Sequence, residues 1–329
     1  MSRPRTLAAT LAVLALSGCA AFQEQDGSGT TAASADDGEL TVLASVYPLE
    51  YLAEEIGGER VSVDSLTPDG VDPHTLELSP RTVADMGSAG LVVHLSGFQA
   101  AVDDAVATTG VRALDAAEHT QLLTTEETGH DHAHDDGGHA HEDEHAHDDE
   151  HDHDGETLDP HLWLDPARLA EVGTALAEEL ADLDPEGAET YRANAERVVS
   201  ELEELDAELA AGLATCERRT VVVAHEAYGY LTSRHGLQQE GLSGIDPEAE
   251  PSPARLAEIA DVVTEHDVTT VFVESLVSPA VSEALAQDLG LRTAVLDPLE
   301  NQQDEDADYL DVMRANLAAL QEALACTSA

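Results

Sequence analysis

The stretch "DPEGAETYRANAERVVSELEELDAELAAGL", residues 184–213, decides the fold because it predicts one helix of unusual length. Proline follows aspartate at its start, which is typical of a first helical turn. Apolar residues then recur at helical spacing as far as residue 213. At the usual rise per residue the helix is about 40 Å long, which is too long for one small domain. We therefore predict a rigid helix that joins two halves of the chain.

Strands and helices are predicted to alternate on both sides of this helix. The predicted strands are 40–46, 60–66, 89–95 and 111–115 before it, and 219–225, 269–275 and 291–297 after it. Helices are expected at about 48–56 and from 165 before it, and at 226–235, 252–266, 279–289 and 306–324 after it. This order predicts an α/β fold with two parallel-sheet lobes, 40–182 and 214–329, joined by a linker helix, 183–213.

The N-terminus carries the pattern of an exported protein. Residues 1–18 combine Arg3 and Arg5 with a short apolar run, which is typical of a signal peptide and too short for a membrane-spanning helix. The ending "LSGC" resembles a bacterial lipobox, which implies cleavage before Cys19 and a lipid on its sulfur. Residues 19–39 are polar and read as a flexible tether. We expect a protein anchored to the outer face of the cytoplasmic membrane; plain secretion is the alternative.

The charge balance limits the partners of the chain. The net charge is −54 over 329 residues, and every basic residue is arginine. A field this negative excludes nucleic acid and anionic lipid surfaces as partners and attracts cations. The solvated acidic surface of a salt-adapted protein is the simplest account of this charge.

Two cysteines remain if Cys19 carries a lipid. Cys216 follows the long predicted helix, and Cys326 lies at the end of the last helix. An even pair in an oxidising compartment favours a disulfide that holds the C-terminal helix. Two unpaired buried thiols are the alternative.

Four candidate metal ligands fall at positions that parallel sheets use for binding. Ligands of open parallel sheets bind outside the carboxyl ends of the strands. His225 and Asp297 end predicted strands of the second lobe, while His74 and His161 lie in "DPH" loops of the first. Three imidazoles and one carboxylate facing the crevice between the lobes form a set suited to zinc and tolerable for other divalent first-row ions.

The motifs "GVDPHTLELSP", "DPHLWLDPARLA", "HEAYGYL" and "VLDPLE" carry a family resemblance. In this order they resemble the metal-binding solute-binding proteins of zinc and manganese ABC transporters, cluster A-I, of the zinc-uptake type, from about residue 40 onward. The resemblance implies two lobes joined by a long helix, with His74, His161, His225 and Asp297 as ligands. It implies a monomer that delivers Zn²⁺ to a membrane permease. The third ligand is generally Glu in the family's manganese binders, so His225 favours zinc over Mn²⁺.

Other residues are candidates for supporting roles around the site. Those expected to orient the ligands are Asp72, Asp159, Glu226 and Glu274. Trp163 is expected either to wall the site beside His161 or to pack in the core. His94 stands where the family usually shows no ligand, and it is a candidate accessory contact.

Residues 130–154 form an acidic, histidine-rich tract. Its histidines are His130, His132, His134, His139, His141, His145, His147, His151 and His153. Such a composition has too little apolar area to fold, so loop 126–156 is expected to be disordered without metal. We expect the tract to bind several ions weakly and to act as a buffer or sensor; an inert acidic spacer is the alternative.

Other function classes receive less support from the sequence. "HEAYG" begins like a zincin helix, but Gly229 breaks the HExxH spacing, so an enzyme is not expected. A manganese- or iron-binding member of the same family, a surface metal store and an adhesin stay open as alternatives.

Overall fold

The computed structural model describes residues 40–129, 157–275 and 278–327. The predicted signal peptide, the tether with Cys19 and the histidine-rich tract 130–154 lie outside these residues. In the described ranges, no helix combines the length and the apolar character that crossing a membrane requires.

The first lobe is a four-stranded parallel sheet with helices packed on it. The strand order is β2-β1-β3-β4. The strands are β1 (Leu40–Ala44), β2 (Val61–Ser65), β3 (Leu91–His94) and β4 (Ala113–Asp115). The helices are α1 (Tyr47–Gly57), α2 (Pro80–Met86) and α3 (Ala100–Thr109). β3 is buried along its whole length, as expected of a strand covered on both faces.

The second lobe repeats this architecture with the strand order β6-β5-β7-β8, again parallel. The strands are β5 (Thr220–His225), β6 (Gln238–Ser243), β7 (Thr270–Val273) and β8 (Arg292–Val295). β6 is absent from the sequence prediction because "QQEGLS" is polar and contains glycine. Among the described strands it lies at the edge of the sheet and pairs with β5 alone.

The remaining helices include the long one that joins the lobes. They are α4 (Pro166–Leu183), α5 (Ala188–Leu213), α6 (Gly229–His235), α7 (Pro253–Glu265), α8 (Ala280–Leu289) and α9 (Tyr309–Leu324). Helix α5 has 26 residues, and its buried positions recur every three or four residues from Tyr191 to Leu213. It packs against α1, α4 and α9, so one continuous hydrophobic core includes both sheets and this helix. The prediction of a long connecting helix is confirmed.

The strand order of both sheets places a crevice at the carboxyl ends of the strands. In each sheet the chain crosses from the first strand to one neighbour and then returns to the other side, between β1 and β3 and between β5 and β7. Such reversals open a cleft at the carboxyl edge of a sheet. His225 ends β5, and Glu274 directly follows β7. Both sheets belong to one compact unit, Glu39–Ala329.

Two further predictions meet the structure here. A disulfide joins Cys216 to Cys326, as predicted, and it ties the end of α5 to the end of α9. The predicted disordered loop begins too early, because residues 126–129 are described in a turn in which Thr128 is 2% exposed. Thr124 and Leu158 form an antiparallel bridge that fixes both sides of the tract's base.

Candidate metal centre

Four side chains from separate segments of the chain meet in the crevice. His74, His161, His225 and Glu300 each offer one ligand atom, and all four atoms lie within 4.8 Å of one another. His161, His225 and Glu300 are buried, and His74 is partly exposed. The structure therefore brings together the three predicted histidines, with a carboxylate that the sequence analysis did not select.

His74 is presented by a short turn after β2. The turn Pro73–Thr75 is a single 3-10 turn, and the Asp72 side chain caps it by accepting a 2.8 Å hydrogen bond from the His74 backbone N–H. Proline restricts the backbone that precedes the imidazole. The half-buried Phe98 ring meets the His74 ring edge-on, with centroids 4.9 Å apart. Asp72 thus acts on the loop and does not join the group.

His161 is oriented by the second "DPH" triplet. The backbone N–H and Nδ1 of His161 both lie 2.9 Å from Asp159 Oδ1. Because an ionised carboxylate only accepts hydrogen bonds, Nδ1 carries the proton and Nε2 faces the group. Asp159 is itself held by the Tyr230 hydroxyl, which donates to its carbonyl at 2.8 Å.

Gly229 is required beside this carboxylate. A Cβ atom at Gly229 would lie 2.7 Å from Asp159 Oδ2 and 2.3 Å from the Thr128 Cβ. The residue that breaks the zincin spacing is therefore glycine because two side chains pack directly against its backbone.

His225 is oriented by Glu274 in the same manner. Its Nδ1 lies 2.8 Å from both carboxylate oxygens of Glu274. Its Nε2 is buried, has no hydrogen-bond partner among the described residues, and lies 3.4 Å from Glu300 Oε1. A buried nitrogen normally has a hydrogen-bond partner. His225 Nε2 has none in the described part of the chain, and it faces the other ligand atoms, so a metal ion bound there would supply the missing partner.

Glu300 is the centre of the group. Its Oε1 lies 3.1 Å from His74 Nε2 and 3.2 Å from His161 Nε2. Burial alone would raise the pKa of Glu300, but the three imidazoles around its Oε1 hold that pKa well below its usual range. Burial opposes a charged imidazole at His225, yet Glu274 and Glu300 outweigh it and raise the pKa of His225 to about 10. A divalent ion that binds Nε2 of His225 must therefore displace the proton on that nitrogen.

Asp297, the predicted fourth ligand, is not brought into the group. Its Oδ1 accepts a 2.8 Å hydrogen bond from the Leu299 backbone N–H, and its own backbone pairs with the Asn316 amide. Leu299 adopts a positive φ of 57°, so Asp297 closes a tight turn. That turn presents Glu300, whose longer side chain reaches the three imidazoles. The motif "VLDPLE" does contain the carboxylate of the group, but that carboxylate belongs to its last residue, Glu300, and not to Asp297.

The remaining candidates have structural positions of their own. Glu226 turns away from the group, accepting from the Gly241 N–H and lying 3.6 Å from Arg255. His94 lies apart, with its Nδ1 3.2 Å from Asp103. Trp163 does wall the site: its ring centroid is 5.3 Å from that of His161, and its indole N–H donates to Pro298. Phe98 was missed because nothing in "LSGFQ" distinguishes it from a core residue.

The distances from Glu300 Oε1 to the three imidazole nitrogens are close to those around a small tetrahedral ion. Zinc binds nitrogen and oxygen at about 2.0–2.2 Å, so the edges of its coordination tetrahedron are about 3.3–3.5 Å long. The three nitrogen-to-Oε1 distances are 3.1, 3.2 and 3.4 Å. Two parallel-sheet lobes with such a group between them define a metal-binding solute-binding protein.

Comparison with known proteins supports this class. The chain belongs to the family described as zinc-uptake complex component A, periplasmic, which it matches over residues 42–323. That description is of an uptake-complex component, and it gives no support to a zincin-like enzyme.

Two relatives illustrate the similarity. The zinc-binding lipoprotein AdcA of Streptococcus pneumoniae (strain ATCC BAA-255 / R6) is 31% identical over 295 residues, covering 87% of this chain and 56% of that protein. This chain therefore spans about half the length of that relative. The high-affinity zinc uptake system protein ZnuA of Bacillus subtilis (strain 168) is 31% identical over 308 residues, covering 91% of this chain and 92% of that protein.

Solved structures share the fold. The Zn(II)-bound ZnuA-like domain of Streptococcus pneumoniae AdcA matches with a TM-score of 0.70 and 28% identity, over 87% of this chain and 99% of that one. The laminin-binding protein Lmb of Streptococcus agalactiae, described as having adhesin and metal-transporting activity, matches with a TM-score of 0.73 and 31% identity, over 87% and 99%.

Proposed function

We propose that this protein captures Zn²⁺ outside the cytoplasm with high affinity and delivers it to the permease of an ABC transporter. The observation that carries the proposal is the arrangement of three imidazole nitrogens at 3.1–3.4 Å around one buried carboxylate oxygen. The names of the zinc-binding and zinc-uptake relatives agree with it.

The proposed ligands are His74, His161, His225 and Glu300. Asp159 and Glu274 would fix the tautomers of two of the imidazoles by accepting their Nδ1 protons. On capture, the three Nε2 atoms and Oε1 replace the hydration shell of the ion, and the protons held between them leave.

Zinc is the proposed metal in preference to manganese. Three nitrogen donors and one oxygen suit zinc, whereas Mn²⁺ prefers six oxygen-rich ligands. The Phe98 and Trp163 rings, with centroids 5.5 Å apart, cover one side of the group and restrict additional ligands there.

Competitive titration of zinc against manganese tests this proposal. We expect the wild type to prefer zinc by at least about a hundredfold, and His225→Glu to narrow that preference because it supplies a second oxygen donor. Manganese preference in the wild type would overturn the metal assignment, and absence of any tight site would overturn the function.

The N-terminal segment supplies the proposed location. Lipid attachment at Cys19 and a tether over residues 19–39 would hold a monomer at the outer face of the cytoplasmic membrane, within reach of the permease. Mass spectrometry of protein from membranes tests this, since a diacylglyceryl adduct on Cys19 is expected.

The histidine-rich tract is proposed as an accessory, weak metal store. Its base is fixed at Thr124 and Leu158, outside the group of four ligands. Deleting residues 130–154 is expected to remove weak, multiple zinc binding and to leave one tight site with unchanged affinity by calorimetry. Loss of the tight site would refute this role, and unchanged total stoichiometry would favour an inert spacer.

An adhesin role is a second candidate because of the description of the Lmb structure as an adhesin that also transports metal. Surface plasmon resonance on immobilised laminin tests it, with zinc-loaded and zinc-free protein compared. Saturable binding would add this activity to metal capture.

A further inference from the structure

One of the four proposed ligands stands on a segment with few connections. Residues 68–75, here called the ligand arm, carry His74 between β2 and α2. Residues 68–71 are exposed, and Gly70 has a φ of 72° in open space, where an added Cβ would meet no described atom within 4 Å. Inside the arm, the Val71 N–H donates to Pro68 at 3.0 Å and the His74 N–H donates to Asp72 at 2.8 Å.

Both ends of the ligand arm are anchored in the first lobe. The Thr67 hydroxyl donates to the Ser45 carbonyl at 2.7 Å and accepts from the Gln99 amide at 2.9 Å. On the other side, Leu76 is 8% exposed and packs in a cluster with Met86 and Val92. The arm is therefore anchored at both ends, and its middle is exposed.

Within the described part of the chain, the hydrogen bonds from the ligand arm to the second lobe end on two consecutive residues. His74 Nε2 lies 3.1 Å from Glu300 Oε1, and the Asn301 amide donates to the Val71 carbonyl at 2.6 Å. Only the nitrogen of the amide can donate to a carbonyl, so its orientation is determined. Asn301 is 7% exposed, and the bond is therefore sheltered from water.

The other two histidines have stronger support. His225 belongs to β5 and shares its ladder with β6. The loop that carries His161 is tied to the second lobe by the Trp163 indole, which donates to Pro298, and by the Tyr309 hydroxyl, which donates to Trp163. Of the three histidines, His74 is therefore the one whose segment can leave most easily.

Metal binding is expected to affect the two hydrogen bonds between the arm and the second lobe differently. If His74 Nε2 and Glu300 Oε1 both bind an ion, their direct hydrogen bond is lost, and the bond from the Asn301 amide to the Val71 carbonyl is then the remaining described hydrogen bond between the arm and the second lobe. We propose, on the basis of the proposed zinc-binding function, that Asn301 is a positioning residue: it latches the ligand arm and so sets how long the ion stays bound. Zinc leaves when this latch opens and His74 swings away with the arm.

Zinc release from the full chain tests the latch. Protein loaded with one equivalent of zinc is mixed with excess chelator in a stopped-flow instrument, and the slow phase is followed. Asn301→Ala is expected to release zinc about three- to tenfold faster, the effect of losing one hydrogen bond, with nearly unchanged association. The visible spectrum of the Co²⁺-loaded variant should match the wild type, because the ligands are the same.

Two comparisons separate the latch from general loosening. Gln302→Ala removes a neighbouring amide whose one hydrogen bond among the described residues is donated to the Ala307 carbonyl in its own loop, and its release rate should equal the wild-type rate. In a His74→Ala background, Asn301→Ala should give no further acceleration, since the arm then carries no ligand. Wild-type release in Asn301→Ala, equal acceleration in the His74→Ala background, or an altered cobalt spectrum would overturn the latch. A wild type without a slow phase would overturn the zinc-binding function itself.

Discussion

Glu300→Gln is expected to weaken zinc binding by about a hundredfold or more, whereas Asp297→Asn changes it by less than about tenfold. Tight zinc sites bind with about 10–16 kcal/mol shared among four ligands, so one ligand contributes about 3 kcal/mol. Glu300 Oε1 lies within 3.4 Å of all three imidazole nitrogens. Asp297 is committed to the Leu299 N–H and supports only the turn.

Competition with a chromophoric chelator measures both affinities under the same conditions. The two variants are matched, because each removes one negative charge and keeps the shape of its side chain. Thermal unfolding of the zinc-free variants controls for damage to the turn, which we expect to be greater in Asp297→Asn. A larger loss of affinity in Asp297→Asn than in Glu300→Gln would contradict the assignment of the carboxylate.

Removing the disulfide is expected to lower the free energy of unfolding by about 3–5 kcal/mol, without changing zinc affinity. Cys216 and Cys326 are 110 residues apart, and closing so long a loop restricts the unfolded chain strongly. The bond lies before β5, while His225 lies at the far end of that strand, about 15–20 Å away. Removing the disulfide should therefore change the free energy of unfolding and leave the metal site unchanged.

Urea denaturation of the zinc-free double variant, Cys216→Ser with Cys326→Ser, measures this effect. Thr215→Val is a useful control, because the Thr215 hydroxyl donates to Thr327 at 2.6 Å beside the disulfide but forms no covalent link. We expect it to cost no more than about 1 kcal/mol. A double variant as stable as the control would show that the cross-link contributes little.

The fold was predictable because its elements have strong local signals. The apolar strands and the long amphipathic stretch ending at Leu213 follow directly from composition and periodicity. The strand β6 was missed because its pairing with β5 outweighs a weak local preference. Helix α6 begins at Gly229 rather than at residue 226, because residues 226–228 make the turn that follows the buried His225.

The site was predictable where the sequence constrains a side chain locally. His74 and His161 follow Asp-Pro pairs whose carboxylates accept hydrogen bonds from the histidine backbone. His225 ends an apolar strand, and Glu274, which ends the neighbouring strand prediction, lies 2.8 Å from its Nδ1. Glu300 was not predicted because the choice between Asp297 and Glu300 depends on the backbone turn at Leu299. That turn determines which of the two carboxylates enters the crevice. No local pattern reveals that choice.

The most direct test of the four-ligand site is anomalous diffraction at the zinc edge from crystals of zinc-loaded protein. One strong peak is predicted between the lobes, about 2.0–2.2 Å from Nε2 of His74, His161 and His225 and from Oε1 of Glu300. A principal peak elsewhere, or one in contact with Asp297 and not Glu300, would contradict the site described above.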